Sequence, residues 1–239
     1  MNGLTAQLGI IEGIGAAVAA APPCADILVC PPATLTKSAV HTAAGRIAVG
    51  GQDCSCEIAG AFTGDISADM LKDAGASAVI VGHSERRRYH GESDAMVAAK
   101  TKAAWRAGLL AIVCVGESES QRQAGEALSV IRSQIAGSVP QGAPSSGTVI
   151  AYEPLWAIGT GRAPILAEIV EMHAHIRAFL ATQLGAHGKK VRILYGGSVT
   201  PANARDILAL PEAGGVLVGG ASLKATDFEA IFRAVWART

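Results

Sequence analysis

The stretch Ile150-Ala151-Tyr152-Glu153-Pro154-Leu155-Trp156-Ala157-Ile158-Gly159-Thr160-Gly161 runs from an apolar segment into a carboxylate and out through glycine-rich chain. Residues 148–151 read as a short buried strand. Glu153 then stands at its carboxyl end, where α/β enzymes built on parallel sheets keep their chemistry. Pro154 holds Glu153 in an extended conformation and stiffens the exit. Trp156, Ala157 and Ile158 are apolar, but Gly159 and Gly161 break regular structure, so these residues are expected outside the core as the tip of a lid. The plainer reading is a strand and a turn, with a solvated acid and a packing tryptophan; a single motif does not separate the two.

A chain of 239 residues holds either two small domains or one all-parallel barrel. Half the residues are hydrophobic, with only 4% aromatic and 17% charged, which suits strands buried on both faces under helices. Twenty basic side chains balance twenty acidic ones, so no global field draws the protein to nucleic acid or an anionic membrane. Cys24, Cys30, Cys54, Cys56 and Cys114 form no Cys-x-x-Cys pair and no zinc-type pattern with nearby histidines. Their odd count suits free thiols in a reducing cytosol. The apolar stretch 14–23 is too short and too rich in alanine and glycine to span a membrane, and it lacks a basic leader, so a cytoplasmic location is expected.

Outward from the opening stretch, apolar strand segments fall at 26–30, 47–51, 78–81, 109–115, 148–151, 191–195 and 216–218. Helical spacing occupies 4–20, 34–44, 67–74, 94–107, 119–135, 166–184 and 202–208, and a further helical region follows 221. Strict alternation of strand and helix predicts one parallel sheet with right-handed crossovers, and no linker divides it, so residues 1–239 are expected to form a single domain. An open doubly wound sheet fits this pattern too; glycine or polar residues after so many successive strands favour a closed barrel. Seven strands are one short of the eight of that barrel, and the chain opens with a helix that no strand precedes.

His83 follows the strand at 78–81 as Glu153 follows its own, so the two can face each other across a barrel mouth as an acid/base pair. A capping histidine is the alternative. His41, His90, His173, His175 and His187 lack strand-end placement, and His173 and His175, two apart on a helix, share no metal-binding face. Gly196-Gly197-Ser198 and Gly219-Gly220 end the last two strands, where main-chain N–H groups can approach a phosphate closely. Arg86-Arg87-Arg88 is read as a salt-bridged helix start.

Residues 151–161 resemble the catalytic-loop signature of the triosephosphate isomerase family. The other blocks resemble that family's in the same order: Gly82-His-Ser-Glu-Arg-Arg87, Cys114-Val-Gly-Glu117, Tyr195-Gly-Gly-Ser-Val199 and Val218-Gly-Gly-Ala-Ser222. Residues 52–64, containing Gly60-Ala-Phe-Thr-Gly64, are similar to the loop by which one subunit of that dimeric family inserts into the other. The resemblance implies an α/β (β/α)8 barrel of glycolysis and gluconeogenesis that interconverts dihydroxyacetone phosphate and glyceraldehyde 3-phosphate through an enediolate, as a homodimer, without cofactor or metal. It assigns Glu153 as base, His83 as carbonyl electrophile and proton shuttle, and Glu85 as a supporting acid. It assigns phosphate binding to Gly159, Ser198, Gly219 and Gly220, and the subunit interface to Gln52, Thr63, Gly64 and Arg86.

One departure stands out. In the family the segment ahead of Met-Asn-Gly is a strand ending in Asn-Trp-Lys, which supplies the first barrel strand and an active-site asparagine and lysine; here Met1-Asn2-Gly3 stands at the start. The simplest expectation is that the start is an internal methionine and that the protein begins roughly a dozen residues earlier. The alternative is a phosphate-binding barrel impaired by loss of that lysine, which would cost on the order of 10² to 10³ in rate.

Overall fold

The computed structural model describes residues 1–157 and 164–235. Six strands, β1 (Leu28–Val29), β2 (Ala48–Gly51), β3 (Ala78–Val81), β4 (Leu110–Val115), β5 (Thr148–Tyr152) and β6 (Arg192–Tyr195), pair in parallel and in sequence order. Helix α1 (Leu8–Ala20) precedes β1. Between the strands lie α2 (Thr36–Ala43), α3 (Ala68–Asp73), α4 (Ser84–His90) with α5 (Asp94–Arg106), α6 (Glu119–Gln123) with α7 (Ala127–Ser138), and α8 (Leu166–Leu184). The short α9 (Ala204–Leu208) and the amphipathic α10 (Ala225–Arg233) follow β6. Several helices start where a serine satisfies an orphan amide: Ser67 accepts from Met70 N–H, Ser93 from Met96 N–H, and Ser118 forms a reciprocal capping box with Gln121. Each such cap contributes about 1 kcal/mol.

The strand expected at 216–218 is reduced to one bridge between Tyr195 and Val216, so the count of seven strands is corrected to six. The pairing is parallel in kind, with Tyr195 N–H donating to Gly215 O at 3.1 Å and Leu217 N–H to Tyr195 O at 2.9 Å. It stops there for two reasons. Gly214-Gly215 and Gly219-Gly220 leave only three strand-forming residues between them, and among the described residues no strand pairs with the far edge.

Side-chain alternation divides the apolar residues between two faces. Ala78, Ile80, Ile112, Cys114, Val149 and Ala151 form one small buried cluster, with Leu28, Cys30, Leu194 and Leu217 half-buried against it. The intervening residues, among them Val79, Val81, Val113, Ile150, Tyr152, Ile193 and Tyr195, join Val97, Ile131, Ile135, Ile169 and Ile176 of the helices in a much larger cluster. A sheet face filled only by its own side chains must be concave, so the six strands curl around the smaller cluster while the helices cover the convex side.

His173 of α8 lies wholly inside the outer cluster, its ring 6.0 Å from that of Tyr152 and 6.5 Å from that of Tyr195. Neither ring nitrogen makes a hydrogen bond of ordinary geometry among the described residues. Burial pushes its pKa down to about 4, and the nearby Glu212 main chain and carboxylate offset only part of that effect. The unfolded chain therefore takes up a proton near the ordinary value of 6.5, whereas the folded chain stays unprotonated there. This histidine's contribution to stability is complete above 6.5 and is lost as pH falls towards 4. In urea unfolding at pH 7.5 and pH 5, the wild type should lose about 2 kcal/mol more across that interval than His173→Phe. Equal losses in the two proteins would show that His173 is not the titrating group.

Candidate active site

Alternation along β5 sends Val149 and Ala151 to the concave face, and Glu153 follows them in the same phase at the strand's carboxyl end. Its main chain continues the parallel ladder: Glu153 N–H donates to Val115 O at 2.8 Å and Leu155 N–H to Glu117 O at 3.1 Å. The Glu153 side chain is 1% exposed as a residue, and three donors meet it there. Ser84 N–H donates to Oε2 at 2.9 Å, Ser84 Oγ to Oε1 at 3.1 Å, and His83 Nε2 lies 2.9 Å from Oε1.

His83 is the residue on which α4 begins. Its Nδ1 accepts the N–H of Glu85 at 3.3 Å, so the imidazole proton is assigned to Nε2, facing the carboxylate. The capping role and the acid/base placement thus occur in one residue. Burial works to lower the His83 pKa, but the hydrogen bond to Glu153 and its charge, helped by Glu85, outweigh burial and leave it raised above 6.5. Glu85 acts mainly through its main chain, since its carboxylate is 73% exposed and stands 3.9 Å from Nδ1. Cys114, beneath the site on the concave face, is kept a thiol by burial and by the charge and hydrogen bond of Glu153, which push its pKa well up.

The glycines around Glu153 mark close approaches of main chain. A methyl group on Gly196 would meet Glu153 Cγ and Tyr152 O at 3.1 Å, and one on Gly197 would collide with the Tyr195 hydroxyl. Ser198 follows, its carbonyl accepting from Asn203 Nδ2 at 3.0 Å. Gly219 and Gly220 are exposed with open space around them, next to this turn through the Tyr195–Val216 bridge. Gly159, together with the Ile158–Gly161 part of the expected lid, lies outside the described residues.

The expectation that Trp156 and Ala157 stay out of the core is corrected. Leu155–Ala157 forms a 3-10 turn in which Ala157 is fully buried and Trp156 half-buried. The reason is an anchor that sequence reading missed. Glu117, completely buried, accepts from Trp156 Nε1 at 2.8 Å, Tyr152 OH at 3.0 Å and Arg122 Nη1 at 3.4 Å. Arg122 also pairs with Glu168 at 2.7 Å, tying the turn before residue 158 to the first turn of α8. Ser84 was missed as well, although it sits beside His83 in the motif.

Gln52 and the exposed Thr63 and Gly64 belong to the long segment between β2 and α3, which is held by Asp53. Asp53 pairs with Arg86 at 3.0 Å and with Lys100 at 2.7 Å, and Glu92 pairs with the same two cations at 2.6 Å. Arg87 pairs with Asp94 at 2.7 Å, and Arg88 lies over the Tyr89 ring.

A family model described as Triosephosphate isomerase matches residues 1–235. The chain belongs to the triosephosphate isomerase family. It is 56% identical to "Triosephosphate isomerase" of Rhodopseudomonas palustris (strain BisA53) over 234 residues, covering 97% of this chain and 92% of that protein. It is 57% identical to "Triosephosphate isomerase" of Afipia carboxidovorans over 235 residues, with coverages of 98% and 94%. The crystal structure of triosephosphate isomerase from Bartonella henselae superposes with a TM-score of 0.91 at 46% identity, covering 98% of this chain and 94% of that one. The activity is therefore an aldose–ketose isomerisation of a phosphorylated triose, and a barrel that binds phosphate without turnover is not favoured.

If Glu153 holds the His83 pKa up, Glu153→Gln should lower it below its ordinary value, because burial remains when the neighbouring charge is gone. NMR titration of the His83 ring measures this directly. An unmoved midpoint would show that another group controls the imidazole.

Proposed function

We propose that Glu153 is the base and His83 the electrophile of this isomerisation. The observation that carries the reading is the 2.9 Å contact between His83 Nε2 and Glu153 Oε1 at the carboxyl ends of β3 and β5. In an α-hydroxy carbonyl, a carboxylate takes the proton from the carbon beside the carbonyl, the electrons move onto oxygen, and the proton is returned to the neighbouring carbon. Glu153 is buried and held by Ser84 and His83, so it exchanges these donors for the substrate when it acts as base. The Nε2 proton of His83 polarises the carbonyl and passes between the two substrate oxygens, while Glu85 N–H steadies Nδ1.

Phosphate is assigned to Ser198, Gly219 and Gly220, whose glycine-rich turns leave main chain open to an anion, and to Gly159 of the lid. Closure of that lid would exclude water from the enediolate. Residues 1–239 are read as one domain, and the curled six-stranded sheet as an arc of the family's barrel. The protein is proposed to work in the cytoplasm, in glycolysis and gluconeogenesis. Among the described residues no helix is long and apolar enough to cross a membrane.

A homodimer is proposed with Gln52, Thr63, Gly64 and Arg86 at its interface. Ile58 and Phe62 of the same segment, with Met70, Tyr89 and Met96, are large apolar side chains exposed on the single chain. The Asp53–Arg86 pair fastens this segment to α4, so a partner docked there would bear on the element that carries His83.

Assayed from glyceraldehyde 3-phosphate to dihydroxyacetone phosphate, Glu153→Gln should lower kcat by on the order of 10² to 10⁴ with KM little changed, and His83→Gln by on the order of 10² to 10³. Turnover of Glu153→Gln near the wild-type rate would remove Glu153 from the role of base. In sedimentation, Phe62→Asp should shift the wild-type dimer towards monomer; a wild type that sediments as a monomer would reject the interface.

A further inference from the structure

β3 and β4 separate at their carboxyl ends. Their register runs from Ala78–Leu110 to Val81–Val113, after which the β3 chain turns away at Gly82 into α4 while β4 continues to Val115. The β4 edge that faced β3 is then left without a strand, and side chains take its place. The Arg87 guanidinium donates to both Gly82 O at 2.9 Å and Cys114 O at 3.2 Å. At the next position on that edge, Gln134 of α7 pairs with both peptide groups of Gly116: its Oε1 accepts Gly116 N–H at 2.8 Å and its Nε2 donates to Gly116 O at 2.9 Å. One side-chain amide thus replaces one residue of a neighbouring strand.

Gly116 is the residue against which Glu153 rests. Val115 O and Glu117 O, on either side of it, accept the N–H groups of Glu153 and Leu155. A methyl group on Gly116 would collide with the Glu153 carbonyl and with Leu155. Gln134, Gly116, Ser84 and Glu153 also line one cavity of about 250 Å³ behind the carboxylate, so the site has room to shift if that wall yields.

We infer that Gln134 is a positioning residue for the isomerisation: it fixes the Gly116 peptide, and Gly116 sets where the main chain of Glu153 stands. This rests on the reading of Glu153 as base. Substrate phosphate meets other loops, so displacement of Glu153 falls on kcat and leaves KM nearly untouched. A reacting group misplaced by about 1 Å costs on the order of 10²-fold.

The test uses Gln134→Met and Gln134→Glu, both close to glutamine in volume. Gln134→Met should lower kcat by roughly 10- to 100-fold with KM within about twofold. Gln134→Glu keeps an acceptor for Gly116 N–H, but as a carboxylate it faces Gly116 O with no donor. Its kcat relative to wild type should rise as pH falls and the introduced carboxyl gains a proton to donate. In a Glu153→Gln background, Gln134→Met should lower the residual kcat no further. Wild-type kcat in Gln134→Met, or a pH-independent ratio for Gln134→Glu, overturns the inference, and the second variant decides alone if the first does not fold. Wild-type turnover in Glu153→Gln by itself would instead overturn the assignment of the base.

Discussion

Taking the Glu153 carboxylate out of water is the constraint on which the arrangement of this site depends. A buried anion costs several kcal/mol unless donors replace its hydration. Here three donors come from two consecutive residues: the Nε2 of His83 and the amide and hydroxyl of Ser84. They can do so only because α4 starts where β3 ends, which turns the first helical amide towards β5. The same constraint explains why histidine occupies the cap. Its Nδ1 satisfies Glu85 N–H as a serine would, and its other nitrogen remains for the carboxylate.

Holding that acid in place requires main chain to approach main chain, and the glycines follow from it. Gly116 and Gly196 lie on either side of Glu153, each where a β-carbon would meet its atoms. Beyond them a set of mostly part-buried polar contacts takes over where the strands have ended. Gln134 and Arg87 continue the β4 edge, and Glu117 gathers Tyr152, Trp156 and Arg122. Glu117 and Glu153 stand at the ends of neighbouring parallel strands, yet their surroundings differ. Glu117 gathers donors that anchor the loop on its Oε1, whereas Glu153 faces an imidazole whose proton can move.

Much of this was legible in the chain itself. Glu153 and His83 stood out because each comes one or two residues after a run of branched apolar residues, and the order of the motif blocks carried the family resemblance. The strand at 216–218 was not separable from the others by composition, because its extent is set by pairing with β6, which among the described residues stops at one bridge between Tyr195 and Val216. Ala157 looked like a solvent-facing loop residue because the glycines after it were visible, whereas the carboxylate that draws Trp156 inward lies 39 residues away. Ser84 and Gln134 escaped notice for the same reason: their partners are 69 and 18 residues distant, and nothing in local spacing marks such pairs.

By itself the sequence determined the alternation of strand and helix, the parallel sheet, the two strand-end residues to which the chemistry is proposed to fall and the family resemblance. Those features rest on local periodicity and on motifs a few residues long. The tertiary structure alone decided the number of strands that pair, the donors around Glu153 and the amide that steadies Gly116. Each of these depends on hydrogen bonds between segments far apart in the chain, and their geometry exists only after the sheet has curled and the helices have packed against it.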